Sequence, residues 1–460
     1  MSRTSTTGPS GAGAESSGAS RAAGAARAVA GADGTFAARA EALLGGLRQS
    51  GQYKALRVLE SAMGPTVEVR GYGRCLCFCS NDYLGLAAHP EVVEAGERGL
   101  ERYGAGTAGV RFICGTLEAH EELEARLAEL MGTEAAYTFV SCWNANEALF
   151  PTLCEPGDVI ISDELNHASI IDSIRLATAL KKGVGKAVYR HADAGDLRRK
   201  LEEARSGALG GGGADGASGN GAGRSGAGGV NRGVVWVVTD GVFSMEGDIA
   251  DLPALRRVCD EFGAVLVVDD SHGHGVMGRT GRGTHEHWGM VGDGDGGSSV
   301  GPGRVDLFTG TLGKALGGGA GGFVAGPRDA IDLLVQRGRP TLFSNALPAT
   351  VACSAARAVE VLRREPERVE RLRANAALAR QKIRGLGLEV IESPTAICPI
   401  IVHDTARAIA MSQRLLELGV LVIGFGYPVV PEGHARLRVQ VSAAHTHEHI
   451  EGLVAALAKL

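Results

Sequence analysis

Short, uninterrupted apolar runs that alternate with helical segments are the feature that most constrains this fold. Examples are VVWVVT at 234–239, AVLVVDD at 264–270 and GGFVAG at 321–326. These runs are too short to cross a bilayer, and they lack the polar alternation of half-exposed strands. Such runs are typical of strands buried on both faces of a parallel sheet. The alternation therefore predicts an α/β fold with a mainly parallel, doubly wound sheet flanked by helices.

Changes in pattern and composition divide the chain into segments. Two glycine-rich stretches, 206–229 and 292–303, bury too little apolar surface to order themselves and are predicted to be flexible insertions. The other predicted divisions are a disordered Gly/Ala/Ser-rich tail (1–34), an N-terminal segment (35–84), a large domain (85–347) and a smaller α+β C-terminal domain (348–460).

Composition excludes several classes of partner and compartment. The formal net charge of -5 provides no basic surface for nucleic acid, and no apolar run is long enough to span a membrane. Residues 1–34 lack the apolar core of a secretory signal. We therefore expect a cytoplasmic protein, with the mitochondrial matrix as the alternative if this tail is a transit peptide.

The nine cysteines show no disulfide framework, which fits a reducing compartment. Cys75, Cys77 and Cys79 alternate along one predicted strand and therefore share one face. A metal site there would need a further ligand from elsewhere. Burial as small apolar side chains is the favoured interpretation.

Lys314 has unusual surroundings for a lysine. It follows the apolar strand VDLF within TGTLGKALGGG at 309–319, among glycines and small residues. A Schiff-base lysine needs a partly desolvated site with room for a flat ring beside the backbone. A lysine at a flexible junction after a strand is the alternative. The order of residues excludes a Walker-type phosphate loop.

Two aspartates and two histidines follow another strand, in VVDDSHGHG at 267–275. Ligands bind at the carboxyl ends of strands in doubly wound sheets. A pyridoxal-phosphate (PLP) enzyme needs a carboxylate against the pyridine nitrogen, and Asp269 at the strand end is the candidate, with His272 near the ring hydroxyl. The alternative is a metal site formed by Asp269, Asp270, His272 and His274.

Two predicted helix starts complete the set of candidate features. The strand AAYTFV is followed by SCWNANEALF, where free backbone N–H groups at a helix start form an anion site suited to a phosphate. His167 opens the helix after the strand DVIIS. A histidine there is usually a cap or a buried polar group, but in a PLP enzyme it could stack on the ring and act as an acid or base.

Taken together, these motifs resemble the α-oxoamine synthases, which join amino acids to acyl-CoA. The motifs that occur in the family's order are NDYLGL at 81–86, the turn at 141–146, LNHASI at 165–170, TDGVFSMEGD at 239–248, VDDSH at 268–272 and TGTLGKALGG at 309–318. The resemblance covers about residues 40–460 and implies the type I fold of PLP-dependent transferases. That fold has a seven-stranded, mainly parallel sheet, and its cofactor is PLP. The two glycine-rich insertions have no counterpart in the family.

The resemblance implies roles around the cofactor ring. Lys314 would carry the cofactor and later remove the substrate α-proton, and Asp269 would pair with the ring nitrogen. His272 would contact the ring oxygen. His167 would stack on the ring, next to the substrate, and Ser244 would lie close to the ring.

It also implies how phosphate and substrate are held. Cys142, Trp143 and Thr311 would bind the phosphate. Ser344 and Asn345 would reach the phosphate in the neighbouring subunit, which implies a homodimer with shared active sites. The substrate carboxylate would be bound by Arg438, with Asn81 nearby.

Within the family, some stretches most resemble the members that use glycine and acetyl-CoA: VRFICGT at 110–116, ISDELNHASIIDSIRL at 161–176, RPTLFSN at 339–345 and RLRVQVSAAHT at 436–446. The implied reaction is an acyl transfer that gives 2-amino-3-oxobutyrate and CoA, or its reversal in threonine degradation. The alternative within the family joins alanine to a pimeloyl thioester for biotin synthesis. A non-enzymatic binder of acyl-CoA or nucleotide and a metal-dependent hydrolase are the alternatives outside it.

Overall fold

The computed structural model describes residues 35–209, 233–291 and 303–460. The chain forms two compact units, which meet between Leu56 and Arg57. The predictions for the tail and for most of both glycine-rich insertions lie outside the described residues. In the first unit, a helix spans Thr35–Gln49, and apolar residues such as Phe36, Ala40 and Leu43 recur in it at helical spacing.

In chain order, the helices are α1 (Thr35–Gln49), α2 (Pro90–Tyr103), α3 (Glu118–Met131), α4 (Cys142–Leu153), α5 (Ala168–Leu180), α6 (Ala194–Arg205), α7 (Leu252–Phe262), α8 (Thr284–His287), α9 (Arg328–Arg337), α10 (Arg339–Phe343), α11 (Ala349–Arg364), α12 (Glu367–Gly385), α13 (Thr405–Glu417) and α14 (His447–Leu457). A π-helical turn spans Arg111–Gly115. The strands are β1 (Thr66–Val69), β2 (Gly73–Cys77), β3 (Ala135–Phe139), β4 (Val159–Asp163), β5 (Gly185–Tyr189), β6 (Val235–Asp240), β7 (Val265–Asp269), β8 (Leu307–Thr311), β9 (Gly322–Gly326), β10 (Ile397–His403), β11 (Val420–Leu421), β12 (Ile423–Phe425) and β13 (Ala435–Gln440).

The second unit contains a seven-stranded sheet with the order β3-β9-β8-β7-β6-β4-β5. Strands β4 to β8 pair in parallel, whereas β9 is antiparallel to both β3 and β8. All residues of β6 are buried, as its unbroken apolar run predicts. The predicted mainly parallel, seven-stranded sheet is confirmed.

Helices cover both faces of this sheet. Val235 and Val237 of β6 pack into a core with α3, α6, α7 and α11. Trp236 and Val238, which point the other way because side chains alternate along a strand, pack with α4, α5 and α9. The doubly wound arrangement follows, and it brings the carboxyl ends of β4, β6, β7 and β8 to one edge of the sheet.

The C-terminal part forms a smaller α+β arrangement, as predicted. Its antiparallel sheet has the order β10-β13-β12, and a separate core joins it to α12, α13 and α14. A β-hairpin is also present, with Val67 opposite Cys75, and its second strand β2 pairs in parallel with β11. Cys75 and Cys77 lie in the small core beneath this sheet, which confirms their interpretation as buried apolar side chains.

Candidate active site

A cavity of about 200 Å³ lies at the carboxyl edge of the central sheet, beside the N-termini of α4 and α5. Eight of the residues predicted from the sequence meet there. The lining consists of Cys142, Trp143, His167, Ser169, Asp240, Val242, Ser244, Asp269, Ser271, His272, Thr311 and Lys314. The topology explains the convergence, because parallel strands present the residues after their carboxyl ends on one side.

Lys314 lies in the turn that follows β8. The turn is held by Thr311, whose Oγ1 accepts from the Gly313 N–H at 3.1 Å and donates to the Gly321 carbonyl at 3.3 Å. Desolvation lowers the pKa of Lys314, and the negative charge of Asp269 only partly opposes that shift. A lysine with a lowered pKa has more of the free amine, the form that attacks a carbonyl carbon.

Asp269 stays ionised although it is buried. Burial acts to raise its pKa, but hydrogen bonds from Ser271 and Asn146, together with the positive charge of Lys314, outweigh burial, and the pKa is lowered. The Ser271 backbone N–H donates to Oδ1 at 3.0 Å, and Asn146 Nδ2 donates to Oδ2 at 2.7 Å. A fixed carboxylate beside an amine in a closed cavity is the arrangement that holds a protonated pyridine nitrogen.

His272 contacts the cavity on one side and a buried tyrosine on the other. Its Nδ1 lies 2.8 Å from the hydroxyl oxygen of Tyr83. Burial lowers the pKa of His272 well below its usual range, and the positive charges of Lys314 and Arg438 act in the same direction. The imidazole is therefore neutral at ordinary pH and has one ring N–H to donate.

His167 caps helix α5 and also forms part of the cavity wall. Its Nδ1 accepts from the Ser169 backbone N–H at 3.3 Å, and its own backbone N–H donates to Asp240 at 3.0 Å. Desolvation lowers the pKa of His167. The ring lies edge-on to Trp143, with 6.2 Å between the centroids. The residue therefore fits both interpretations of the sequence, cap and cavity group.

The first turn of α4 lies where the sequence predicts an anion site. Ser141 caps the helix by accepting from the Asn144 N–H at 3.1 Å, and Cys142 and Trp143 follow it at the helix start. Gly322 lets its backbone pack closely against the start of α4, because a Cβ there would lie 2.3 Å from Cys142 Cα. Free N–H groups at such a helix start suit a phosphate.

Arg438 is buried on β13, and its Nε and Nη2 have no hydrogen-bond partner in the described part of the chain. Its charge reaches the cavity, since it contributes to lowering the pKa values of both Lys314 and His272. A buried guanidinium with unused donors fits a planar carboxylate. Asn81 is close by, and its Oδ1 accepts from Gln440 Nε2 at 2.5 Å.

Ser344 and Asn345 do not line this cavity. They border a separate crevice with Arg111 and Asn144, and Asn345 is bridged to Val110. Their predicted contact belongs to a neighbouring subunit, so their role stays a prediction.

Several residues of the site were missed from the sequence. Asn146 holds Asp269, Ser271 caps its other oxygen, and Tyr83 and Gln440 support His272. Asp240 ends β6 directly beside Asp269 on β7, and burial raises its pKa well above the usual range. Its position at the end of a neighbouring parallel strand was the signal that could have identified it.

The alternative metal site is not supported by the geometry. Asp269 and His272 line the cavity, whereas Asp270 and His274 are enclosed in the protein. Within the described ranges, the one cluster with metal-ligand spacing is His89, Glu91 and Glu365, far from this chemistry in sequence. Both carboxylates of that cluster already pair with Arg364.

Comparison with known proteins agrees with a cofactor site in this cavity. Residues 74–457 match the model of the family described as aminotransferase class I and II, and the chain belongs to that family. The cavity and its lysine thus define a PLP-dependent enzyme, and the cofactor prediction is confirmed. No helix among the described residues is both long and apolar enough to span a bilayer.

Relatives narrow the class further. The chain is 41% identical over 421 residues to the human mitochondrial 2-amino-3-ketobutyrate coenzyme A ligase, covering 91% of each chain. It is 40% identical over 415 residues to the Escherichia coli K12 protein of the same name, covering 90% of this chain and 94% of that one. An 8-amino-7-oxononanoate synthase from Symbiobacterium thermophilum is 41% identical over 417 residues, with 91% and 96% covered. The predicted resemblance to α-oxoamine synthases is confirmed.

Solved structures show the same fold. A serine palmitoyltransferase from Sphingomonas wittichii superposes with a TM-score of 0.76 at 29% identity, covering 93% of this chain and 96% of that one. The S. paucimobilis enzyme, solved with a bound PLP–myriocin aldimine, has a TM-score of 0.76 at 28% identity with the same coverage.

Proposed function

We propose that this enzyme condenses glycine with acetyl-CoA to give 2-amino-3-oxobutyrate and CoA, and that it catalyses the reverse cleavage, as threonine degradation would require. The observation that carries the proposal is the pair formed by Lys314 and Arg438, whose Nε and Nη2 have no hydrogen-bond partner among the described residues; together they provide an amine and a carboxylate receptor for an α-amino acid. The names of the human and E. coli relatives support the choice of keto acid.

Substrate binding follows from the charges. Arg438 binds the glycine carboxylate through Nε and Nη2, and Asn81, which accepts a hydrogen bond from Gln440 on the same strand as Arg438, assists it. This contact places the glycine Cα near Lys314, whose lowered pKa favours the free amine, the form that accepts the α-proton at Nζ. His167 has a lowered pKa and lines the cavity, where it serves as an acid or base toward the thioester carbonyl.

The cofactor, when bound, supplies an electron sink that stabilises negative charge on the glycine α-carbon. Asp269 would hold its nitrogen, and the neutral His272 would donate to its ring oxygen. The first turn of α4, at Cys142 and Trp143, would hold its phosphate together with Thr311, and Ser244 would border the ring.

The remaining phosphate contacts come from a second subunit in this proposal. Ser344 and Asn345 lie outside their own cavity and next to the surface crevice with Arg111. A homodimer related by a two-fold axis would let each subunit lend these residues to the other's site. The dimer thus completes a site that one chain leaves open.

Alanine with a pimeloyl thioester is the second candidate reaction. The S. thermophilum relative carries that name at an identity equal to that of the human protein. Global identity therefore does not separate the two pairs of substrates.

The cytoplasm is the proposed location, and the mitochondrial matrix is the alternative because the human relative is named mitochondrial.

A substrate matrix tests the proposal. Purified protein is assayed with glycine or alanine against acetyl-CoA or pimeloyl-CoA, and its mass in solution is measured. We expect a yellow dimer that is most active with glycine and acetyl-CoA. Lys314→Ala should abolish turnover because it removes the imine-forming amine. Lys200→Ala, which removes a half-buried lysine that pairs with Glu203, is the matched control and should stay active. Preference for alanine and pimeloyl-CoA would contradict the proposal.

A further inference from the structure

The hydroxyl of Tyr83 joins three parts of the chain. It lies 2.8 Å from Nδ1 of His272, 2.9 Å from Nε2 of Gln440 and 3.4 Å from Oδ1 of Asn81. Tyr83 and Gln440 are both almost completely buried. The hydroxyl is therefore shielded from bulk water, and its single proton is assigned within this group.

The proton can be assigned by counting donors. An amide nitrogen only donates, so the Tyr83 oxygen accepts from Gln440 Nε2. Asn81 Oδ1 already accepts from the same Gln440 nitrogen at 2.5 Å, and its 3.4 Å separation from Tyr83 is long for an O–H donor. The phenolic proton therefore points to His272 Nδ1, the closest acceptor.

The state of His272 follows from that assignment. The ring is neutral, because burial lowers its pKa and the positive charges of Lys314 and Arg438 act in the same direction. A neutral imidazole carries one N–H, and a ring nitrogen that accepts cannot be the one that carries it. The proton of His272 is then on Nε2, the nitrogen left free to face the cavity.

We propose that Tyr83 is a positioning residue that fixes His272 in the tautomer with its proton on Nε2. The imidazole then meets the oxygen on the cofactor ring as a hydrogen-bond donor. In the other tautomer it would present a lone pair to that oxygen, and the two acceptors would repel each other. The effect of Tyr83 on the reaction rate rests on the proposed function. The assignment of the His272 tautomer does not depend on it.

The tautomer can be observed directly. Long-range ¹H–¹⁵N correlation spectra of the full-length protein labelled at histidine distinguish Nδ1–H from Nε2–H, and His272→Asn identifies the signal. In the wild-type protein, with the cofactor removed, we expect His272 to be neutral with its proton on Nε2. A proton on Nδ1, or an imidazolium at neutral pH, would overturn the inference without any variant.

Tyr83→Phe tests the cause. We expect the His272 signal to lose its single tautomer, the absorbance of the bound cofactor to shift, and kcat to fall roughly tenfold to a hundredfold, as for other partners that orient a functional imidazole. The glycine KM should change less than kcat. Tyr189→Phe is the matched control, because Tyr189 is equally buried but does not line the cavity.

An unchanged tautomer in Tyr83→Phe, or a rise in KM with kcat intact, would refute the positioning role. The two proposals fail separately. A protein that shows the expected tautomer and its loss in Tyr83→Phe, but has no activity with glycine and acetyl-CoA, supports the inference and contradicts the proposed substrates.

Discussion

Asp269 and Asp270 are consecutive residues with the same side chain, yet they occupy opposite environments. Asp269 lines the cavity, receives hydrogen bonds from Asn146 and Ser271, and has a lowered pKa. Asp270 is fully enclosed, and burial raises its pKa to about 7. One residue of offset at the end of β7 thus separates a charged functional carboxylate from an enclosed carboxyl that is partly protonated at neutral pH.

The enclosed side is built tightly around Asp270. Its Oδ2 accepts from the Thr284 N–H at 2.6 Å, and a Cβ at Gly273 or Gly283 would lie within about 2 Å of a carboxyl oxygen. His274 lies 3.8 Å from this carboxyl, too far for a hydrogen bond, and burial lowers its pKa to about 4. The pair is therefore not an ion pair at neutral pH.

Hydrogen-bond donors and neighbouring charges together decide which of the two carboxyls keeps its charge. Both aspartates are desolvated, and desolvation alone would neutralise both. Asp269 receives donors on both of its oxygens, whereas Asp270 Oδ1 has no partner among the described residues. Asp269, which faces the cavity, therefore keeps its charge, whereas the enclosed Asp270 is partly protonated at neutral pH.

Asp269→Asn should produce the largest effect. A neutral amide cannot keep the cofactor nitrogen protonated, so kcat should fall on the order of a thousandfold or more. The protein should still bind PLP, which absorbance will show. Asp270→Asn is the matched variant one residue away, and its kcat should fall far less. If Asp270→Asn is inactive and Asp269→Asn has near wild-type activity, the functional role belongs to Asp270 and not to Asp269.

A smaller effect is expected in the pH dependence of stability. An unfolded aspartate titrates near pH 4, so between about pH 4 and 7 the folded chain holds a proton on Asp270 that the unfolded chain has lost. Stability from this group therefore falls as pH rises through that window. Melting temperatures of wild type and Asp270→Asn at about pH 5 and about pH 8 measure it. Between these two pH values, the melting temperature of the wild type should fall more than that of Asp270→Asn. Equal changes in the two proteins would contradict the raised pKa of Asp270.

The smallest effect should come from His274. Neither ring nitrogen has a partner in the described part of the chain, and the ring stacks on Phe323 with 5.4 Å between the centroids. His274→Leu removes no hydrogen bond, so kcat should stay within about twofold and stability within about 1 kcal/mol. His272→Leu is the control and should lose activity at least tenfold, by the same reasoning as for Tyr83. Equal losses in both variants would mean that His274 also serves the cavity.

The sequence predicted the parts of the site that depend on local order. Lys314 was recognisable from its small neighbours after an apolar strand, and Asp269 from its place at a strand end. The strand at the sheet edge, β3, pairs with β9, and no local pattern contains that pairing. Contacts across long separations were also missed, since Tyr83 and His272 lie 189 residues apart. A predicted role for Arg438 came from resemblance, but its unused donors are visible only in three dimensions.

The parallel pairing of β2 with β11 has a consequence for the order of assembly. Leu76 and Cys77 pair with Val420 and Leu421, which the ribosome adds only after nearly the whole chain. The β1–β2 hairpin is made early and keeps an open edge until then. Contacts between distant parts of a chain form slowly, and open strand edges invite wrong pairings. Completion of this small sheet is thus a late event, one that a C-terminally truncated chain cannot reach.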